Sequence, residues 1–184
     1  MSISITLHRS GTSRTQQVDT TTTGLDLFGS DRAVVAMRVD GNLVDLQREL
    51  HDGAEVEPVE ATSEDGLNII RHSATHVMAQ AVQQLYPEVN LGIGPFITDG
   101  FYYDFGNIEP VTPEVLSELE KRMKRIVKEN QRFVRRVTTE ESAREELADQ
   151  PYKLELIGTK GKGAEGASVE VGGGELTIYD NVRR

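Results

Sequence analysis

Gly66-Leu67-Asn68-Ile69-Ile70-Arg71-His72-Ser73-Ala74-Thr75-His76-Val77-Met78-Ala79-Gln80-Ala81 carries two of the chain's four histidines, four residues apart, inside a helical pattern. Thr62 followed by Asp65 reads as a capping box and Pro87 forbids continuation, so one helix from about Ser63 to Tyr86 is predicted. Its apolar stripe is Leu67, Ile70, Ala74, Val77, Met78, Ala81 and Leu85. At about 100° per residue His72 and His76 fall on nearly the opposite side, beside Ile69, Ala79, Gln80 and Gln83. The pair is therefore expected to face away from the main core, with Cβ atoms roughly 5–6 Å apart, close enough to share one metal ion, one water or one ester. The competing reading is a solvated second face, because an i,i+4 histidine pair also arises by chance.

Working outward, residues 1–61 read as a small β-rich module. Ile3, Ile5 and Leu7 alternate with polar residues, Gly11 turns the chain, and Val18 sits in a second strand. A short helical or irregular piece follows at Gly24 to Ser30. Ala33 to Val39 forms a central strand ended by Asp40-Gly41-Asn42, Leu43 to Leu46 returns, and Ala54 to Val59 is a last strand. A mixed sheet with one crossing helix, a ubiquitin-like β-grasp, is the economical arrangement. Nothing in it combines into a catalytic set. The boundary to the histidine helix falls between Ala61 and Gly66.

Beyond Pro87, three glycines precede Phe101-Tyr102-Tyr103-Asp104-Phe105, which holds four of the chain's ten Phe and Tyr residues. The glycines, Gly94 before Pro95 among them, permit close backbone approach, and the aromatic block reads as one strand with alternate residues on opposite faces. Thr112-Pro113 opens a further helix to about Asn130, with Leu116, Leu119, Met123, Ile126 and Val127 as its buried stripe. Thr138 to Glu141 reads as a capping box for a short acidic helix reaching about Asp149 and closed by Pro151. Tyr152 to Ile157 follows. Gly158 to Gly163 lacks the Gly-Lys-Ser/Thr of a phosphate loop and reads as a hairpin or insertion. Glu175 to Asp180 looks like a strand, and the chain stops at Arg184 as if cut.

Composition narrows the function classes. The 184 residues, 37% hydrophobic and 27% charged, describe one sizeable domain or two small ones of a soluble protein, with a cytoplasmic location expected. No apolar run approaches the ~20 residues that span a bilayer, so no membrane partner is expected. With no cysteine there is no disulfide, thiolate zinc site or cysteine nucleophile. The net charge of −10 disfavours bulk nucleic-acid attraction, DNA included, but it conceals a polarity. Nine acids against one base lie between Asp40 and Gly66, whereas eight bases against three acids lie between Glu118 and Arg136. Lys121, Arg122, Lys124, Arg125, Lys128, Arg132, Arg135 and Arg136 thus form a basic patch, although a solvated helix face explains most such runs.

Taken together, Val39-Asp40-Gly41-Asn42-Leu43-Val44-Asp45-Leu46, Ile70-Arg71-His72-Ser73-Ala74-Thr75-His76, Gly94-Pro95, Gly100-Phe101-Tyr102-Tyr103-Asp104-Phe105 and Tyr152-Lys153, in this order, resemble the N-terminal region of bacterial threonyl-tRNA synthetases. The resemblance implies an α+β chain: a TGS-like β-grasp domain at 1–61, then at 62–184 the first portion of an α/β editing domain with a central antiparallel sheet and the long His-x-x-x-His helix. It implies an enzyme that joins threonine to its tRNA using ATP, with a separate site that hydrolyses serine mistakenly attached. One methyl group is worth only about 1–3 kcal/mol of discrimination, so a second, hydrolytic site is needed for fidelity. Carried over to these positions, the catalytic residues are His72, His76 and Lys153. Substrate-binding residues are Tyr103, Gly94, Pro95 and Asp104, and Lys121, Arg122, Arg125 and Arg132 face the tRNA acceptor end. His72 or Lys153 would activate water while His76 orients the substrate.

The family's later Cys-x-x-x-His block and its preceding acid have no counterpart here. The sequence therefore predicts a truncated fragment with an incomplete editing pocket, unable to aminoacylate. ATP, Mg and zinc would belong to the absent aminoacylation domain, so no cofactor and no metal ligand set are expected in this stretch. The resemblance further implies a homodimer for the full-length enzyme and a monomeric fragment. Two rival readings stand beside it: a tRNA-binding module without chemistry, and an independent metallohydrolase built on His72, His76 and carboxylates.

Overall fold

The computed structural model describes residues 1–158, 169–172 and 175–182, which form two compact units, Met1–Ile70 and Arg71–Arg184. In the first unit, β1 (Ser2–Arg9) and β2 (Thr12–Asp19) pair antiparallel around a two-residue turn, Ser10-Gly11. The helix α1 (Gly24–Phe28) crosses to β3 (Val34–Val39), which pairs with β4 (Asn42–Val44) around Asp40-Gly41. Both central residues of each turn have positive φ, 50° and 77° in one, 51° and 78° in the other. That is the backbone that matches the twist of paired strands and that glycine and aspartate tolerate. The last strand, β5 (Glu55–Glu60), inserts between β1, to which it runs parallel, and β3, giving the order β2-β1-β5-β3-β4. Ile3, Ile5, Phe28, Val34, Met37, Val39, Leu50, Ala54 and Val56 pack its core. The mixed sheet with one crossing helix expected from the sequence is present.

The histidine helix α2 (Glu64–Leu85) spans the division between the units. Its cap is Ser63, whose hydroxyl accepts from the Gly66 N–H at 3.1 Å, and not the predicted Thr62. Glu64 and Asp65 sit in the first turn, where the helix dipole favours acids, and Pro87 stops the helix two residues after Leu85. The core stripe is only partly as predicted. Val77, Met78, Ala81 and Leu85 pack into the core of the second unit, but Leu67 and Ile70 are exposed at 39% and 43%. Thr75 and Ala79 are buried in their place, because sequence-distant elements cover α2 on more than one side.

After α2 the chain forms β6 (Asn90–Leu91), β7 (Phe96–Ile97), β8 (Gly100–Phe101) and β9 (Phe105–Gly106). The predicted single aromatic strand is thus broken. Phe101 ends β8 and Phe105 begins β9, and Tyr102 to Asp104 between them carry no ladder. Separate partners cause the break: β8 pairs with β7 and β9 with β6, while the backbones of Asp104 and Gly92–Ile93 still exchange hydrogen bonds of 2.9 Å. The side-chain alternation survives, with Tyr102 and Asp104 exposed and Tyr103 and Phe105 packed on the core.

Thr112 caps α3 (Pro113–Lys128), with proline in its first turn. Its packed stripe is Val115, Leu119, Met123 and Ile126, whereas Leu116 and Val127, predicted inside, are exposed at 58% and 66%. Positions 115, 119, 122 and 126 follow one helical face, and Arg122 takes the place of an apolar residue there. The strand β10 (Arg132–Thr138) leads to α4 (Glu140–Glu146), capped by Thr139, which accepts from Ser142, and not by Thr138. Pro151 does not merely close that helix; it opens α5 (Pro151–Gly158), where its missing N–H costs nothing. Then β11 (Val169–Gly172) and β12 (Glu175–Val182) complete an antiparallel sheet of order β10-β12-β11. Residues 159–163 of the predicted hairpin or insertion lie outside the described residues. Among the described residues, no helix is long and apolar enough to cross a membrane.

Candidate active site

The helical spacing of His72 and His76 brings their rings face to face, with centroids 4.7 Å apart and planes 19° from parallel. The two Nε2 atoms are 2.9 Å apart, so one ring donates its N–H to the lone pair of the other. Thr75 steadies the turn between them by donating its hydroxyl to the His72 carbonyl at 2.7 Å.

This face was expected to point away from the core, and it is covered. Phe96 of β7 approaches the His72 ring at 6.3 Å, and Phe133 of β10 and Tyr179 of β12 approach His76 at 5.6 and 6.1 Å. Burial first, then the neighbouring His72 and the charge of Lys153, push His76 down to about 3. Its ring is neutral at any ordinary pH.

Lys153, from the first turn of α5, is buried at 7% exposure, and its charge reaches His76. Burial pushes its ammonium down to about 8, against an opposing effect of Glu146. Glu146 is itself held by Arg136, whose guanidinium also binds Asp180 at 2.6 Å and so ties α4, β10 and β12 together. The joint between α4 and α5 is fixed by Gln150, whose side chain accepts from Leu91 N–H at 2.8 Å and donates to the Val89 carbonyl. Contacts between segments remote in sequence thus hold α5 where the Lys153 charge reaches His76.

Tyr103 packs on Phe105 with ring centroids 4.7 Å apart and lies directly over Gly94. A β-carbon at position 94 would fall 2.2 Å from the Tyr103 ring, so only glycine fits beneath it. Burial pushes the Tyr103 hydroxyl up to about 12, and it stays protonated as a donor. Pro95 is half-buried next to Gly94, with its carbonyl accepting from Tyr102, and the Asp104 side chain is exposed.

The basic patch divides. On α3, Arg122 is held by Glu118 at 2.9 Å and by the Gln84 carbonyl, Lys124 by Glu120 at 2.6 Å, and Arg125 contacts Gln84. Lys121 and Arg132 are exposed. Sequence reading missed Phe96, Phe133 and Tyr179 around the histidines, and Gln150 as a clamp. For Tyr179 the available signal was its place on the predicted strand from Glu175 to Asp180. Among the described residues, no group of three or more His, Cys, Asp or Glu side chains is placed to hold a metal ion.

No family model matches the chain. Relatives do. The chain is 59% identical over 98% of its length to a threonine–tRNA ligase of Streptomyces avermitilis, covering 28% of that protein. It is 63% identical over 90% of its length to the ligase of Streptomyces griseus, covering 25%. For Pseudarthrobacter chlorophenolicus the figures are 59% over 91%, covering 26%. The chain spans only about a quarter of the length of these curated relatives, and over that span it matches the N-terminal part of bacterial threonine–tRNA ligases.

Proposed function

We propose that this chain is part of a cytoplasmic enzyme that attaches threonine to its tRNA with ATP, and that the second unit contributes a pocket hydrolysing serine wrongly esterified to that tRNA. In this reading the first unit is a TGS-type β-grasp domain and the second an editing domain. The observation that carries the reading is the contact of His72 and His76, Nε2 to Nε2 at 2.9 Å, with buried Lys153 in electrostatic reach. The similarity to threonine–tRNA ligases supplies the substrate class.

The chemistry follows from the protonation states. A water between the histidine face and the ester carbonyl gives a proton to His72 as its oxygen bonds to the carbonyl carbon. His76, held neutral, orients His72 through the shared hydrogen bond. Lys153, protonated below about 8, stabilises the oxyanion, and burial strengthens that interaction. Collapse of the tetrahedral intermediate returns the proton to the departing ribose oxygen and leaves free serine. In this reading Gly94 and Tyr103 form a wall against which the aminoacyl-adenosine end lies, and Lys121 and Arg132, both exposed, meet acceptor-stem phosphates.

The test is the rate at which the ligase containing this chain deacylates seryl-tRNA. His72→Ala should slow it a hundredfold or more and leave threonine attachment intact. Deacylation unchanged in that variant overturns the reading.

A further inference from the structure

The strands β6 and β9 form a two-stranded ribbon, with Asn90 opposite Gly106 and Leu91 opposite Phe105. Successive peptide groups of a strand turn to opposite edges. The Gly92 N–H turns toward β9, where the Asp104 carbonyl accepts it at 2.9 Å. The Leu91 N–H therefore faces the other edge, which no strand among the described residues pairs.

The Gln150 carboxamide fills that edge. Its Oε1 accepts from the Leu91 N–H at 2.8 Å and its Nε2 donates to the Val89 carbonyl at 3.4 Å, as the peptide groups of a third strand would. The orientation is forced, because an N–H only donates and a carbonyl only accepts. Val89 and Leu91 are buried, so without the amide their backbone groups would stand unpaired away from water. Gln150 also immediately precedes α5, and its own carbonyl accepts from the N–H groups of Lys153 and Leu154 at 3.0 and 3.1 Å. Side chain and main chain of one residue thus join the ribbon to the helical turn that carries Lys153. A second contact lies alongside: the end of the Tyr152 ring covers Gly106, where a β-carbon would fall 2.9 Å from it. The first turn of α5 is therefore set on both strands, through Gln150 on β6 and Tyr152 on β9.

Followed the other way, the ribbon leads to Tyr103. The Asp104 N–H donates to the Ile93 carbonyl at 2.9 Å, and the next pair of residues is Gly94 beneath the Tyr103 ring. One hydrogen-bonded ribbon runs from the aromatic wall to the base of Lys153, whose charge reaches His76. In the ester-hydrolysis reading the wall takes the adenosine and Lys153 the oxyanion. These are parts of one substrate whose separation covalent bonds set, so the site needs a matching fixed separation.

We propose that Gln150 is a positioning residue for ester hydrolysis: by completing the free edge of β6 it fixes the Lys153 ammonium relative to Tyr103, with Tyr152 on Gly106 as a second fastening. The proposal rests on the hydrolytic reading above and extends it by assigning part of the rate to a residue outside the reacting groups. An ammonium that stabilises an oxyanion acts in the transition state alone, so displacing it lowers kcat and leaves KM as it was.

The test is a double-mutant cycle on seryl-tRNA deacylation by the ligase containing this chain, with Gln150→Met, Lys153→Met and the two combined. Lys153→Met should lower kcat about a hundredfold, the usual effect of losing one oxyanion donor. Gln150→Met should lower it about tenfold, as a small misplacement does. KM should hold in both. The combined variant should be no slower than Lys153→Met, because the group through which Gln150 acts is already gone. Tyr103→Leu, which alters the wall, should still raise KM in the Lys153→Met background, showing that the cycle has not reached a floor. Gly106→Ala, which lifts Tyr152, should give the Gln150→Met loss in weaker form. Native kcat in Gln150→Met, or the same fold loss with and without Lys153, overturns the proposal and leaves the hydrolytic reading standing. Native kcat in Lys153→Met overturns the part that reading gives Lys153, and the proposal with it. Threonine attachment at the native rate reports that the Gln150 variants fold. Should Gln150→Met not fold, Gln150→Glu keeps the acceptor for Leu91, loses only the longer contact to Val89, and completes the same cycle with a smaller loss.

Discussion

Gly94 lies so close beneath the ring of Tyr103 that a single added carbon would sit 2.2 Å from it. The glycine and the tyrosine are therefore one structural unit: the first is small so that the second can be placed. Gly94→Ala should force the ring out of its stack on Phe105 and destabilise the second unit by about 1–3 kcal/mol, the usual cost of overpacking. Tyr103→Leu alone should also destabilise. The two changes together should cost less than the sum of each, since the clash vanishes with the ring. Urea unfolding of the four proteins in a double-mutant cycle measures this, and strict additivity would refute the contact as the cause.

The neutral His76 ring makes stability depend on pH in a definite direction. Its folded value of about 3 lies below the ordinary 6.5, so between those values the unfolded chain binds the proton and the folded chain does not. The stability contribution is complete above 6.5 and declines as pH falls, by up to about 1.4 kcal/mol per unit. The window from 6.5 to about 5 lies above the range in which the lowered carboxylates Asp26, Asp31, Glu114 and Glu120 titrate. His76→Phe should flatten the decline in that window. An equal slope in both proteins would show that another group governs acid unfolding.

Lys153 and Glu146 are coupled with opposite sign. Burial brings the ammonium down to about 8, and the Glu146 charge works the other way. Glu146→Gln should therefore move the titration midpoint of Lys153 further down. Arg136→Met, which releases Glu146 from its ion pair, should move it up. Nitrogen-15 NMR of the Lys153 Nζ follows the midpoint directly, and shifts of the same sign in both variants would contradict this arrangement.

If α3 and β10 meet phosphates, their cations should not contribute alike. Lys121 and Arg132 are exposed, whereas Lys124 is engaged by Glu120 one turn away. Lys121→Ala or Arg132→Ala should each lower the salt dependence of tRNA binding by about 0.7–0.9 in log–log slope, the release of roughly one counterion. Lys124→Ala should alter it less. Arg122→Ala should also lower folding stability, because its guanidinium bridges Glu118 and the end of α2. Fluorescence titrations at several salt concentrations separate these cases, and a uniform slope would place the tRNA elsewhere.

The sequence made plain what local rules decide. The β1–β2 and β3–β4 turns follow from Gly11 and Asp40-Gly41, and α3 begins where Thr112-Pro113 says it should, because each depends on a few adjacent residues. The His72–His76 pair was legible for the same reason, since spacing alone puts both rings on one face. What covers that face was not, because Phe96, Phe133 and Tyr179 arrive on three separate strands. The block from Phe101 to Phe105 has the alternation of one strand, yet β6 and β7 divide it between them, and alternation carries no record of the partner. Thr62 and Thr138 carry the acid three residues on that the capping box calls for, whereas the residues that cap, Ser63 and Thr139, have Gly66 and Ser142 there. A one-residue choice between adjacent hydroxyls is made by the entry of the chain, not by the pattern.

The parallel pairing of β1 with β5 joins the two ends of the first unit, Thr6 opposite Glu55 and Leu7 opposite Val56, whereas both hairpins close over two residues. Loop-closure entropy then orders the folding of this unit. The hairpins can form early and independently, and the central ladder between them must wait until nearly the whole segment has collapsed. Substitutions in β5 at Val56 should accordingly accelerate unfolding more than they retard folding, while those beside the Asp40-Gly41 turn should act chiefly on the folding rate.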